Sequence, residues 1–187
     1  MPTPANQKAA PFRIRIDREI THPEVIALLQ AHLAGMRAES PPECVYALDL
    51  DALRQPEITF LTAWRPAPEA SSGAHDGNTV DELAAIGALR ELTPTTASGG
   101  GHGEIKSMRT SASHLRQGAA QAVLTKLLDL ARQRNYARVS LETGTTPGFD
   151  AALAMYRRFG FEECGPFGDY VVDPFSRFLA MATARKR

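Results

Sequence analysis

The segment Leu115-Arg116-Gln117-Gly118-Ala119-Ala120 has the composition of a helix start that can hold an anion. The first backbone N–H groups of a helix lack partners inside the helix, so they are free to donate to a phosphate. Gly118 permits close approach to the backbone, while Ala119 and Ala120 keep the side chains along that path small. We predict an anion site at the N–H groups of Gln117, Gly118, Ala119 and Ala120. A glycine that serves only to begin the helix is the structural alternative.

A strand before this segment and a long helix after it would hold it in place. Residues 104–110 have the pattern of a strand, residues 113–118 that of a turn, and residues 119–134 that of an amphipathic helix. The apolar residues of that helix fall on one side: Ala120, Val123, Leu124, Leu127, Leu128 and Ala131. We interpret His114, in the turn, as an exposed residue, and a contact to the ligand of the adjacent anion site is the alternative.

The other elements follow from periodicity and from turn residues. Alternating or apolar-rich runs predict further strands at residues 12–16, 58–64, 83–92, 138–143, 161–164 and 177–182. Helical spacing predicts a first helix that begins with a Thr21 to Glu24 capping box, a short helical turn at residues 49–53, and a helix at residues 149–159 that Gly160 ends. Strands followed by strand-helix-strand-helix-strand predict an α/β fold with a mixed sheet and helices on both faces.

Composition limits the classes of function. The 187 residues are 43% apolar, which is typical of a globular protein. The 21 basic residues balance 21 acidic ones, so the composition shows no excess of positive charge that would indicate nucleic-acid binding. No apolar run reaches the roughly 18 residues of a membrane span, and residues 1–11 lack the layout of a secretion signal. We expect one cytoplasmic domain over residues 1–187, disordered at 1–11 and flexible at 66–80 and 93–103. The cysteines and histidines show no ligand spacing, which indicates no metal site.

Two motifs together resemble those of the GNAT superfamily of N-acetyltransferases. The helix-start segment is similar to the acetyl-CoA-binding pattern Arg/Gln-x-x-Gly-x-Gly/Ala, with Leu115 in the first position and Arg116 supplying a charge one place later. Tyr156 lies four residues before Gly160-Phe161, which is similar to the second signature of the family. Residues 36–43, 140–144 and 164–170 look like a bacterial branch of poorly defined substrate.

The resemblance implies a fold and a cofactor. The fold would be the GNAT-like acyl-CoA N-acyltransferase fold, with a mixed, mostly antiparallel central sheet. The cofactor would be acetyl-CoA, with its pyrophosphate on the loop at Arg116 and on the amides after it. In this family the fourth strand splays from the fifth, so the backbone of Met108, Arg109 and Thr110 would bind the pantetheine arm as an added strand would.

The resemblance also implies two catalytic side chains. Glu104 occupies the place of a strand-borne general base, and Tyr156, also a cofactor contact, matches the general acid that faces the coenzyme sulfur. An ammonium cannot attack a thioester, so a base must remove a proton and an acid must protonate the departing thiolate. The N–H of Met108 would stabilise the charged oxygen. Glu142 is the alternative base or an amine-binding carboxylate, while a surface role for Glu104 or a core role for Tyr156 is the structural alternative.

The acceptor would be a primary amine of a small molecule or of a protein. By family layout, the first helix and the loop after it bring four polar residues near the acetyl group, unless these are ordinary surface residues: Arg37, Glu39, Ser40 and Glu43. The resemblance further suggests a homodimer through the C-terminal strands. The competing hypothesis is a non-catalytic acyl-CoA-binding sensor or interaction module, in which the cofactor cradle persists without a working base.

Overall fold

A computed structural model describes residues 12–39, 46–67, 80–97 and 99–183 of the chain. Within these residues seven strands form one sheet: β1 (Arg13–Ile16), β2 (Ile58–Arg65), β3 (Glu82–Thr93), β4 (Gly101–Thr110), β5 (Tyr136–Gly144), β6 (Glu162–Glu163) and β7 (Ser176–Ala182). The described helices are α1 (Pro23–Glu39), α2 (Leu50–Leu53), α3 (Ala119–Gln133) and α4 (Asp150–Arg158). Short 3₁₀ turns at Ala112–His114 and Pro147–Phe149 precede α3 and α4.

The strand order in the sheet is β1-β2-β3-β4-β5-β7-β6. Among the described pairs, β4 and β5 run parallel and every other neighbouring pair is antiparallel. A parallel pair needs a crossover, and α3 supplies it. The predicted fold class, a mixed and mostly antiparallel sheet with flanking helices, is confirmed.

Helices cover both faces of the sheet because successive strand residues point to opposite sides. On one face, Val123, Leu124 and Leu127 of α3 are fully buried against the inward residues of β2 to β5. On the other, Val25 and Leu29 of α1 pack with Leu53 of α2 and with Phe60 of β2. Each fully buried aliphatic side chain contributes about 1.5–3 kcal/mol, so these two stripes hold the helices to the sheet.

Two predicted boundaries need correction. At the start of α1 the cap is His22 rather than Thr21, because the His22 ring accepts a hydrogen bond from the Glu24 N–H (3.3 Å). The connection between β3 and β4 is also shorter than residues 93–103, because β3 extends to Thr93 and β4 begins at Gly101. The periodicity signal was weak there because glycine carries no side chain whose pattern could indicate a strand. The predicted disorder of residues 1–11 lies outside the described residues.

The sheet opens between β4 and β5. Their pairing runs from Gly101 and Tyr136 to Ile105 and Leu141, whereas β4 continues for five more residues to Thr110. We call this opening the splay. On the opposite edge β4 stays paired with β3, as far as Thr110 with Ala85. The second half of β4 therefore has one backbone edge that β5 does not use.

A bulge in β4 begins where the splay begins. The register between β3 and β4 shifts between Ile86 and Ala88, and Ser107 has a φ of +53°, which is uncommon for a residue with a side chain. Gly87 of β3 lies opposite, and an added Cβ there would meet the Met108 sulfur and stand 2.8 Å from Val123 Cγ1. Gly87 therefore lets the Met108 side chain pack across β3 onto α3.

Replacing Gly87 with alanine should destabilise the protein, because the new methyl group has no room between Met108 and Val123. We expect a loss of about 1–3 kcal/mol in the free energy of unfolding, measured by urea denaturation. Gly165→Ala is the matched control, since nothing lies within 4 Å of a Cβ at that position. Equal stability of the two variants would contradict the packing described for the bulge.

Candidate active site

A long cleft of about 1320 Å³ crosses the molecule at the splay. Its walls come from α1, the end of β4 with the loop after it, the start of α3 and the outer side of α4. Residues from each of these elements line it: Leu28, Met108, Arg109, Arg116, Gly118, Tyr156 and Arg158. The cleft thus joins the two segments that carry the strongest sequence motifs.

The predicted anion site lies at one end of this cleft. Gly118 caps α3 with a φ of +89°, and Arg116 also has a positive φ, +59°. Alternation of left-handed residues turns successive N–H groups inward, a backbone arrangement that binds anions. The first intrahelical bond runs from the Ala122 N–H to the Gly118 carbonyl (3.0 Å), so the N–H groups before Ala122 have no helical acceptor.

Side chains beneath the loop hold its shape. The Gln117 amide donates to the Ser113 carbonyl (2.9 Å) and accepts a hydrogen bond from Arg65 at the end of β2. This engages the Gln117 side chain, so only its backbone remains for an anion. His114 is buried rather than exposed as predicted, because its ring packs edge-on against Phe12 and lies 3.3 Å from the Glu82 carboxylate.

The middle of the cleft runs along the free edge of β4. Met108, Arg109 and Thr110 all line it, and all lie beyond the last β4–β5 pair. A ligand with amide groups can therefore hydrogen-bond to β4 as an added strand would. This is the edge to which the family resemblance assigns a pantetheine arm.

Tyr156 faces the cleft from α4. Its side chain is 5% exposed and packs edge-on against Phe161, with the ring centres 5.8 Å apart. Burial, reinforced by the charge of Glu142, raises the pKa of the Tyr156 hydroxyl well above its usual range. Tyr156 is therefore a protonated hydroxyl at neutral pH, as a proton donor must be.

One face of the sheet, beneath α1 and the loop of residues 164–175, carries the charged side chains of Arg90, Glu104 and Lys106. We call it the acceptor face. Glu104 is at its centre and is 0% exposed. Tyr170 donates a hydrogen bond to Glu104, and Lys106 lies 3.4 Å from the same carboxylate oxygen. Arg90 is 3.8 Å from the second oxygen. Glu104 is thus a buried, paired carboxylate and not the surface residue of the structural alternative.

Lys106 and Tyr170 are functional candidates that sequence reasoning missed. The Lys106 ammonium donates to the Tyr46 carbonyl (2.8 Å) and to the Tyr170 hydroxyl (2.5 Å), so it ties the 164–175 loop to β4. The spacing of Glu104 and Lys106, two apart on a strand, indicates that they share a face. No local pattern could link them to Tyr170, which is 64 positions from Lys106.

Glu142 lies at the mouth of the splay, one residue after the last paired residue of β5. Burial raises the pKa of Glu142 to about 7, and the negative charges of Glu104 and Asp173 act in the same direction. Lys106 opposes this shift. The charge of Glu142 also acts on Tyr156, so this carboxylate is within electrostatic range of both the acceptor face and the cleft.

Of the four predicted acceptor residues, the structure describes only the Arg37 side chain, and it does not bring that side chain into the cleft. Arg37 is exposed on α1 and is not part of the cleft lining. Glu39 is the last residue of α1, while Ser40 and Glu43 lie outside the described residues. On α1 it is His32 that lies within electrostatic range of the β4 side chains: burial lowers its pKa to about 4, and the charges of Arg109 and Lys106 act in the same direction.

The family is decided by comparison with known sequences, since the sequence model of the Acetyltransferase (GNAT) family matches residues 27–161. The chain belongs to the GNAT family. It is 46% identical over 168 residues to the uncharacterized N-acetyltransferase YsnE of Bacillus subtilis (strain 168). The aligned region covers 90% of this chain and 97% of YsnE. It is 42% identical over 170 residues to the uncharacterized N-acetyltransferase YedL of Escherichia coli (strain K12), covering 91% and 94%.

A solved GNAT-fold structure agrees with this assignment. The Bacillus subtilis acetyltransferase in complex with CoA aligns with a TM-score of 0.59 and 17% identity over 91% of this chain and 98% of that chain. At that identity the likeness shows the fold alone. None of the described helices combines the length and the apolar character needed to cross a membrane.

This GNAT protein is an acetyl-CoA-dependent N-acetyltransferase, and its cleft fits that cofactor. The loop at Arg116 and Gly118 offers inward N–H groups to a diphosphate, and the free edge of β4 offers hydrogen bonds to the amide-containing arm. Tyr156 lines the same cleft and is within electrostatic range of Glu142. Recognition of the family and the cofactor from the sequence is therefore confirmed.

The network around Glu104 should appear as a strong energetic coupling. Tyr170→Phe leaves a buried carboxylate without its donor, and we expect it to lower the free energy of unfolding by about 1–3 kcal/mol. In the Glu104→Gln background the same change should cost less, since a neutral amide needs no charge-assisted donor. A double-mutant cycle by urea denaturation measures this coupling. Strictly additive losses would contradict the Tyr170–Glu104 contact.

Proposed function

We propose that this acetyltransferase transfers the acetyl group directly to a primary amine at the splay, with Glu142 as general base and Tyr156 as general acid. Glu142 takes a proton from the bound ammonium, and the free amine attacks the carbonyl carbon. A C–N bond forms, the C–S bond breaks, and Tyr156 gives its proton to the departing sulfur. The new amide nitrogen then releases its extra proton, which restores the Tyr156 hydroxyl. Bound acetyl-CoA supplies the activated acetyl thioester.

A single observation carries this assignment: Glu142 is the first β5 residue beyond the β4–β5 pairing, and its charge acts on Tyr156. Acid and base are thus within electrostatic range of each other across the opening where the thioester would lie. A pKa near 7 also suits a general base, since it balances the ionised fraction against proton affinity.

Glu104 is the competing base, and burial argues against it. The Glu104 side chain is 0% exposed, and one of its oxygens accepts a hydrogen bond from Tyr170 and lies 3.4 Å from Lys106. The other oxygen has no hydrogen-bond partner among the described residues but is buried, 3.8 Å from Arg90, so an amine would have to enter the interior to reach it. We propose instead that Glu104 positions Lys106 and Tyr170 around the acceptor. The N–H of Met108, at the bulge, is the proposed donor to the carbonyl oxygen of the thioester.

The proposed reaction uses groups of one chain only. It therefore needs no homodimer, and the dimer, the single-domain organisation and the cytoplasmic location stay predictions. The sensor alternative is disfavoured, because a non-catalytic module gives no reason for a near-neutral carboxylate beside a buried tyrosine.

The pH dependence of kcat/KM tests the base. Because Glu142 must be ionised to accept a proton, activity should be full above pH about 7 and fall as the pH drops through that value. Glu142→Gln should remove this acidic limb and lower kcat/KM by roughly a hundredfold or more. Glu104→Gln is the matched control on the neighbouring strand and should keep the limb. The reverse pattern would exchange the two roles.

The raised pKa of Glu142 also predicts how the stability of the protein changes with pH. A carboxyl whose pKa rises from 4.5 to about 7 on folding binds more protons when folded, so stability should decline as the pH rises between these values. In Glu142→Gln this decline should be reduced. Urea denaturation at pH 5 and pH 8 measures it, and an unchanged pH dependence in the variant would refute the raised pKa.

Tyr156→Phe tests the acid. The substitution removes a hydroxyl but keeps the ring that packs on Phe161, so the fold and the cofactor cleft should persist. We expect kcat to fall by about a hundredfold while calorimetry gives an unchanged Kd for coenzyme A. Tyr136→Phe, which removes a hydroxyl at the far end of β5, is the control. Full turnover in Tyr156→Phe would exclude the proposed role.

A further inference from the structure

The acceptor face carries opposite charges on the two sides of the splay. On the β4 side, Lys106 and Arg109 both act on His32 of α1, so both lie toward that helix. On the β5 side, the negative charge of Asp173, in the 164–175 loop, helps to raise the pKa of Glu142, so these two carboxylates lie within electrostatic range of each other. A ligand that spans the opening therefore meets cations on one side and carboxylates on the other.

The cations differ in how far the protein itself neutralises them. Lys106 and Arg90 share the Glu104 carboxylate at 3.4 and 3.8 Å. Among the residues that the structure describes, by contrast, Arg109 forms no ion pair. His32 does not add a charge of its own, because with a pKa of about 4 it is neutral at physiological pH.

Contact with α1 gives the Arg109 guanidinium a defined position. Its Nη1 lies 3.5 Å from the point where a Cβ of Gly35 would stand, so the guanidinium lies against the helix backbone. The Arg109 side chain is nevertheless exposed and lines the cleft. It is therefore an accessible guanidinium fork, and such a fork can hold a carboxylate through two parallel hydrogen bonds.

Across the splay, one hydrogen-bond acceptor remains unused. Oδ2 of Asp173 is buried and has no hydrogen-bond partner in the part of the chain that the structure describes. Ser176 pairs with Gly144 at the end of β5, and its hydroxyl lowers the pKa of Glu142, which indicates that the two side chains lie close together. Two carboxylates and a hydroxyl provide acceptors for the three N–H groups of an ammonium.

Building on the proposed function, we propose that the acceptor is an amine that also carries a carboxylate, an amino acid in the broad sense. Its ammonium binds at Glu142, Asp173 and Ser176, and its carboxylate binds to the Arg109 guanidinium. Arg109, Asp173 and Ser176 are then the residues that determine acceptor specificity, and among the residues around the ammonium Glu142 alone takes its proton.

Other acceptors fit this charge pattern less well. A polyamine would bring a second ammonium toward Arg109, and like charges repel. An amine with a phosphate group would bring two charges to one free guanidinium, because Lys106 is already paired with Glu104. The phosphates of the cofactor have cations of their own near the loop, in Arg116 and Arg158 of the cleft lining.

An acceptor panel tests the proposal. The twenty amino acids, β-alanine and 4-aminobutyrate are each compared with the amine that lacks the carboxylate, for example phenylalanine with 2-phenylethylamine and lysine with 1,5-diaminopentane. O-Phosphoethanolamine represents the phosphate-bearing amines. Release of free thiol from acetyl-CoA gives kcat/KM. We expect the best acceptor to be an amino acid that exceeds its decarboxylated counterpart by roughly tenfold or more, as for a charged hydrogen bond.

Variants at Arg109 link that preference to the guanidinium. Arg109→Gln should raise KM for the amino acid about tenfold or more. The ratio of kcat/KM between the amino acid and its decarboxylated counterpart should then be close to one. Arg109→Lys should restore only part of the ratio, since an ammonium lacks the planar fork. Arg132→Gln, on the outer side of α3, is the control and should keep the wild-type ratio.

Two results would overturn the proposal while leaving the acetyltransferase reaction intact: decarboxylated amines or O-phosphoethanolamine as the better acceptors, or a preference that Arg109→Gln leaves unchanged. Failure of the proposed function looks different, since no amine then releases thiol. In that case, calorimetry of the amino acids with the coenzyme A-loaded protein still decides. Binding that Arg109→Gln weakens supports the carboxylate site, and absence of binding refutes it.

Discussion

The separation of β4 from β5 is the constraint on which the rest of the site depends. Up to Ile105 and Leu141 the two strands satisfy each other's backbone groups, and beyond that point they cannot. An unpaired strand edge inside a protein has to find other hydrogen-bond partners, and the proposed partner here is the amide-containing arm of the cofactor. The bulge at Ser107 and the missing side chain at Gly87 fix where the separation starts. Helix α3, bound to the sheet by its apolar stripe, then places the loop at Arg116 and Gly118 in the same cleft as that edge.

The two faces of the sheet divide the work. The face beneath α3 is apolar, whereas the face beneath α1 combines the apolar cluster around Val25 and Phe60 with the buried pair Glu104 and Lys106. Buried charges are costly to desolvate, so removing one partner leaves the other uncompensated. Tyr170 contacts both members of this pair, so the 164–175 loop is held to β4. A loop that is held in this way can keep Asp173 at the mouth of the splay, where the proposed acceptor amine would bind.

The electrostatics of the opening follow from burial more than from single charge pairs. Burial raises the pKa of both Glu142 and Tyr156 and lowers that of His32, so all three favour their neutral forms. For Tyr156 this keeps the proton that a general acid must give. For Glu142 the rise stops near neutrality, where a carboxylate can both ionise and accept a proton. Arg109, exposed to solvent, keeps its charge and is the proposed partner of a carboxylate.

By itself, the sequence determined the order of the elements and the motifs at their ends. Apolar spacing in α3, Gly118 before it and Tyr156 ahead of Gly160-Phe161 are local signals, because the residues that create them are neighbours in the chain. Only the tertiary structure separates Glu104, the base that the resemblance implied, from its alternative Glu142: Tyr170 and Lys106 enclose the first, whereas the second lies at the splay. The proposal of Glu142 as the base rests on that difference. Burial and charge pairing depend on residues far apart in the chain, and no local spacing records them.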